Sequence, residues 1–119
     1  MIALNTNCSK VGGCSAGSPQ EQWLRADLAA NPAACTLAFW HHPRFSSGAI
    51  GDITWSRDMW QALHEAGAEL VLTGHDHHYE RFAPQDADGN SDPTGLVEFV
   101  VGTGGRNHTS AGSPQPNSV

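Results

Sequence analysis

Val71-Leu72-Thr73-Gly74-His75-Asp76-His77-His78-Tyr79-Glu80-Arg81-Phe82 carries three histidines in four positions, directly after a short apolar run. Leu70, Val71 and Leu72 read as a buried strand that ends at Thr73-Gly74, where glycine leaves the backbone free to bend. His75 and His77 then fall on an irregular turn. Neutral imidazole is a ready ligand for Zn, Fe, Mn or Ni, and two rings so spaced on a loop can point to two neighbouring ions.

The partner of this segment lies upstream. Cys35-Thr36-Leu37-Ala38-Phe39-Trp40 is a near-continuous apolar run, the pattern of a strand buried on both faces, and it leads straight into His41-His42-Pro43. A loop rich in Ser and Gly follows from Arg44 to Asp52. A helix is then expected from about Thr54 to Ala66, with Met59, Trp60 and Leu63 inward and Gly67 as its stop. Cys35 to Gly74 is therefore a βαβ unit with parallel strands in an α/β fold. Ligands of open α/β sheets sit outside the carboxyl ends of the strands. Both strands of this unit end there in histidine, and neighbouring strands lie about 5 Å apart. Imidazoles of His41, His75 and His77 are thus expected to reach a common metal site.

The rest of the chain frames that unit. Ile2-Ala3-Leu4 is a short candidate strand, and Asn5 to Gly17 has loop composition. Ser18-Pro19-Gln20-Glu21 is a capping box that opens a helix, with Trp23, Leu24 and Leu28 on one side and Asn31-Pro32 as its stop. Asp86 to Asp92 lacks the glycine and glutamate placement of a calcium loop and reads as a polar hairpin turn. Leu96 to Val101 is another apolar strand, ending in Gly102-Thr103-Gly104-Gly105. Residues 106–119 read as a polar, irregular tail.

Composition narrows the functional classes. The 119 residues make one domain or part of one, and a net charge of −6 with scattered Lys and Arg argues against a nucleic-acid partner. No apolar run approaches a membrane span, so no membrane partner is expected. Three cysteines allow at most one internal disulfide. Cys8 with Cys14 is the pair a short loop can close, three reduced thiols being the alternative, and the count leans slightly to an oxidising compartment. Gly13-Cys14-Ser15-Ala16-Gly17 fits the G-x-S-x-G elbow of serine hydrolases in letters, but a glycine-rich loop precedes Ser15 where a strand is required. His64-Glu65 fails the H-E-x-x-H zinc pattern because position 68 is Ala68.

With Trp40-His41-His42-Pro43 and Gly74-His75-Asp76-His77 both in hand, the chain resembles the calcineurin-like metallophosphoesterases, and most of all secreted bacterial relatives of the purple acid phosphatases. Ala38-Phe39-Trp40-His41 sits at that group's V-x-x-H motif, and Gly74 to His77 at its G-H-x-H motif. The resemblance runs from about Leu4 to Gly105 and implies part of a four-layer αββα sandwich with a dinuclear centre of divalent or mixed-valence ions, Fe, Mn or Zn. It implies that His41 and His75 ligate one ion and His77 the other. The reaction it implies is hydrolysis of a phosphate ester by a metal-bound hydroxide. His42 and Arg44, with His78, are candidates to supply a proton or steady a phosphate oxygen, or equally to orient a ligand imidazole.

The family's first three motifs supply aspartates, an asparagine and an acid/base histidine, and find no place before Leu4. The resemblance therefore implies the C-terminal half of a catalytic domain, inactive alone and partnered by the N-terminal half of the same domain. It also implies a secreted or extracytoplasmic location. A non-catalytic metal-binding fragment and, more remotely, a serine hydrolase using Ser15 are the competing readings.

Overall fold

The computed structural model describes residues 1–119. Five strands form one mixed sheet: β1 (Ile2–Ala3), β2 (Leu37–Phe39), β3 (Leu70–Thr73), β4 (Tyr79–Gln85) and β5 (Leu96–Val101). Their order is β1-β2-β3-β5-β4. β1, β2, β3 and β5 run parallel, and β4 closes the edge antiparallel to β5. The βαβ unit expected between Cys35 and Gly74 is present, with Leu37 opposite Leu70 and Phe39 opposite Leu72.

Two helices cover one face of this sheet. α1 (Pro19–Ala30) begins where the Ser18 hydroxyl accepts the Glu21 N–H, although the Glu21 carboxylate turns to the amide of Gly17 and not to that of Ser18. α2 (Arg57–Glu65) follows a tight turn at Thr54–Ser56 and stops at Gly67, whose φ of 74° is the left-handed conformation glycine adopts without penalty. Leu24 of α1 and Met59, Trp60 and Leu63 of α2 share one buried cluster with Ala38, Val71 and Val100 of the sheet. Burying each of the Leu or Met side chains fully contributes about 1.5–3 kcal/mol. Trp23, expected on the inner stripe of α1, is half exposed, because Leu24 already points at the cluster and its neighbour in sequence must face away.

The opposite face is open. Leu37, Phe39, Leu70, Leu72, Val97 and Phe99 alternate with the buried set and are half-buried or exposed. The expectation of a strand at Cys35–Trp40 buried on both faces is therefore corrected: three residues pair as β2, one face is covered, and Phe39 remains 39% exposed. Of the four-layer sandwich, the chain supplies one sheet and one helical layer.

Tyr79–Gln85 is a strand that composition did not announce, since its Glu, Arg, Pro and Gln hide the alternation. Glu80 and Phe82 nevertheless alternate inward and Tyr79 and Arg81 outward, the period of a strand covered on one side. The loop after Pro43 is also less plain than its Ser and Gly content suggests. Arg44 to Ser47 is buried, and a buried loop must have its amides satisfied. Three carboxylates do this: Glu98 accepts from the amides of Arg44 (3.0 Å) and Phe45 (2.9 Å), Asp52 from Ser46 (3.1 Å) and Glu80 from Ser47 (2.8 Å), while Asp76 accepts from the Ser46 hydroxyl and the Ile50 amide (3.3 Å). The end of the chain is irregular but tied down. Gln115 donates to the Ser46 carbonyl and the Ser47 hydroxyl, and Asn117 to Gln85 and to the Gly89 carbonyl.

Candidate metal centre

β2 and β3 are adjacent and parallel, so their carboxyl ends deliver His41 and His75 to one edge. The geometry is close: His41 Nε2 lies 2.9 Å from His75 Nδ1. His42 joins them, its ring centroid 4.5 Å from that of His75 and 4.8 Å from that of His41. One nitrogen from each of the three lies within 4.8 Å of the others.

The backbone is bent to make this possible. The Gly74 amide bonds to the His41 carbonyl and the Asp76 amide to the Gly74 carbonyl. Between them His75 takes a φ of 64°, in the left-handed region that a side chain with a Cβ enters at a cost of about 1–2 kcal/mol. Gly102 holds the turn from beneath, since a Cβ there would come within 1.8 Å of the Asp76 carbonyl oxygen. Only glycine permits that approach.

Burial lowers the pKa of His41, and the nearby charges of His75 and His77 lower it further. His42 is lowered by burial and then by His75 and His41. Both shifts favour the uncharged ring. Closely spaced, partly exposed imidazoles suit a divalent ion of borderline softness.

The expected residues fall in different places. His41 and His75 come together, and His42 stands beside them. His77 is outside that trio, although its charge is felt at His41. Arg44 is buried, and its guanidinium bonds to the Ala87 carbonyl (2.7 Å and 3.2 Å) with its carbon 4.4 Å above the Phe45 ring. His78 is buried against Glu80 at 3.1 Å. Ser15 stands exposed in the turn before α1, with no imidazole bonded to it. The cavity of about 390 Å³ between the ends of α1 and α2, lined by Arg25, Leu28, Asn31, Pro32, Thr36 and Glu65 among others, holds none of the imidazoles. The imidazole cluster lies at the sheet edge instead.

Three groups at this edge escaped sequence reasoning. The Thr6 hydroxyl is 2.8 Å from His42 Nδ1 and accepts the His42 amide at 3.1 Å. Trp55 packs edge-on to His42 with centroids 5.7 Å apart and donates Nε1–H to the Thr6 carbonyl. Neither carries a local signal in the sequence. Glu98 did carry one, as a lone acid within the apolar run Leu96 to Val101. It is fully buried on β5, its carboxyl pushed up to about 8 by burial, and it also accepts from the Thr73 hydroxyl.

The Cys8–Cys14 disulfide staples the loop that follows Thr6, with 5.3 Å between the two Cα atoms, while Cys35 is free and exposed. No helix is long and apolar enough to cross a membrane.

No family model matches the chain. It is 35% identical over 95 residues to purple acid phosphatase 18 of Arabidopsis thaliana, covering 74% of this chain and 21% of that protein. It is 34% identical over 92 residues to purple acid phosphatase 15 of the same plant, covering 72% of this chain and 17% of that protein. The chain thus spans about a fifth of the length of the curated relatives it matches. Its fold superposes on purple acid phosphatase PPD1 from yellow lupin (Lupinus luteus) seeds with a TM-score of 0.83 at 16% identity, over 98% of this chain and 24% of that one. It also superposes on GAP50, described as the anchor in the inner membrane complex of Plasmodium, with a TM-score of 0.75 at 17% identity, over 99% and 36%. The chain is a relative of the purple acid phosphatases over the part of their length that it shares.

Proposed function

We propose that the chain supplies the histidine-bearing edge of a dinuclear phosphoesterase centre that hydrolyses phosphate esters. The observation that carries this reading is the 2.9 Å approach of His41 Nε2 to His75 Nδ1 at the ends of adjacent parallel strands. In it His41 and His75 hold one ion and His77 contributes to the second. Ions bound there supply Lewis acidity at phosphoryl oxygens and lower the pKa of water. His42 lies beside the two ligands with one nitrogen left for the site, and is assigned to donate to a phosphate or leaving-group oxygen. Arg44 acts at one remove: its guanidinium fixes the loop after Pro43 against Ala87, and so fixes the course of the chain that carries His42.

The rest of a phosphatase domain is the partner we assign to the open apolar face of β2, β3 and β5. The 24% share of the lupin enzyme covered here supports that assignment. The disulfide supports a secreted or extracytoplasmic location. In a protein that contains this chain within a whole phosphatase domain, an aryl phosphate is hydrolysed, chelation abolishes the activity, and His41→Ala or His77→Ala removes it. Activity that survives both substitutions refutes the reading. A second reading, a metal-binding module without catalysis, is favoured by one observation: the clustered groups are three imidazoles and no carboxylate. Ion binding with no turnover in the whole domain supports it.

A further inference from the structure

On distance alone, His42 is as good a third metal ligand as His41 or His75, since the three nitrogens lie within 4.8 Å of one another. Counting protons separates them. The Thr6 side chain is buried, 2% exposed, and its oxygen has two partners, both on His42: the backbone N–H, which can only donate, and ring Nδ1. A hydroxyl has one hydrogen to give. If Nδ1–H donated to Thr6, the oxygen would accept twice and its own hydrogen would be buried with no acceptor. If the hydroxyl donates to Nδ1, every polar group of the pair is satisfied.

We infer that Thr6 is a positioning residue that fixes His42 as the Nε2–H tautomer, so that His42 presents a hydrogen-bond donor to the site and is not a metal ligand. Coordination through Nε2 needs the lone pair that this tautomer lacks, whereas a phosphate oxygen needs the proton it offers. Thr6 is itself held in place. Its carbonyl accepts from Trp55 Nε1 at 3.2 Å, the Trp55 ring closes on the edge of His42, and the disulfide between Cys8 and Cys14 staples the following loop. His41 and His75 have no such hydroxyl, and their nitrogens face each other. The inference rests on the phosphoesterase reading only for what His42 donates to. The tautomer stands or falls apart from it.

The test is long-range proton–nitrogen correlation NMR of the histidine rings, with no added metal, in wild type, Thr6→Ser and Thr6→Val. His42 is expected as Nε2–H in wild type and in Thr6→Ser, and as a mixture in Thr6→Val. An Nδ1–H ring in wild type, or a Thr6→Val spectrum unchanged from wild type, overturns the inference. Should Thr6→Val not fold, the wild-type spectrum and a zinc titration decide. Zn²⁺ alone should bind His41→Ala about tenfold or more weaker than wild type and His42→Ala within about twofold, because only the former removes a ligand. An equal loss in both variants overturns the inference. No zinc binding by wild type contradicts the phosphoesterase reading and leaves the tautomer result standing.

Discussion

His41 Nε2 and His75 Nδ1 lie 2.9 Å apart although thirty-four residues separate them in sequence, because each is the first polar residue beyond its strand on adjacent parallel strands. Two rings this close are organised for an ion before one arrives. Zn²⁺ added at about 100 times its Kd should therefore stabilise the fold by about 2.7 kcal/mol, and a chelator should reverse the gain. Thermal unfolding with and without chelator measures it.

Glu98 makes stability depend on pH with a definite sign. Its folded-state pKa is about 8 against an ordinary 4.5, so between these values the folded chain keeps a proton that the unfolded chain has released. Raising the pH through that window favours unfolding, by an amount on the order of a few kcal/mol for so buried a group. Its contribution is fully present below about 4.5 and is lost as the pH rises through about 8. Glu98→Gln should cost about 1–3 kcal/mol by leaving one of the Arg44 and Phe45 amides without its acceptor. It should also remove this slope. Urea unfolding of both proteins from pH 5 to 9 isolates the effect in their difference.

Gly102 supports the turn that presents His75. Gly102→Ala drives a Cβ into the Asp76 carbonyl oxygen, which should destabilise by about 1–3 kcal/mol and weaken zinc binding. Gly104→Ala has nothing within 4 Å to meet and should leave both nearly unchanged. Chemical denaturation and zinc titration of the two variants make the comparison.

The disulfide acts on the loop directly after Thr6. Reduction of Cys8–Cys14 should lower stability by about 2 kcal/mol, the chain-entropy value for so short a loop. It should also broaden the His42 ring signals, while Cys35→Ser changes neither. Calorimetry with and without reductant, and NMR of the oxidised and reduced protein, check this.

Much of the fold was legible because apolar runs and breakers agreed. The run Leu70 to Leu72 ended by Gly74, the run ending at Trp40, and Gly67 after α2 all fell where periodicity and backbone freedom place them. β4 was not legible, since Glu80 and Gln85 point inward and are paired there by groups distant in sequence. The loop after Pro43 failed for the same reason: its partners Asp76, Glu80 and Glu98 come from three later segments. At the site, His41 and His75 could be read from strand ends, a local feature with a topological consequence. Thr6 could not. A hydroxyl thirty-six residues from its imidazole becomes meaningful only when β1 lies beside β2 and brings the loop after it over His42.

Cobalt titration tests most directly whether His41 and His75 share one ion. Co²⁺ bound to imidazole nitrogen gives visible ligand-field bands. The account predicts these bands in the wild-type chain and their loss in both His41→Ala and His75→Ala. Wild-type bands in either variant would contradict it.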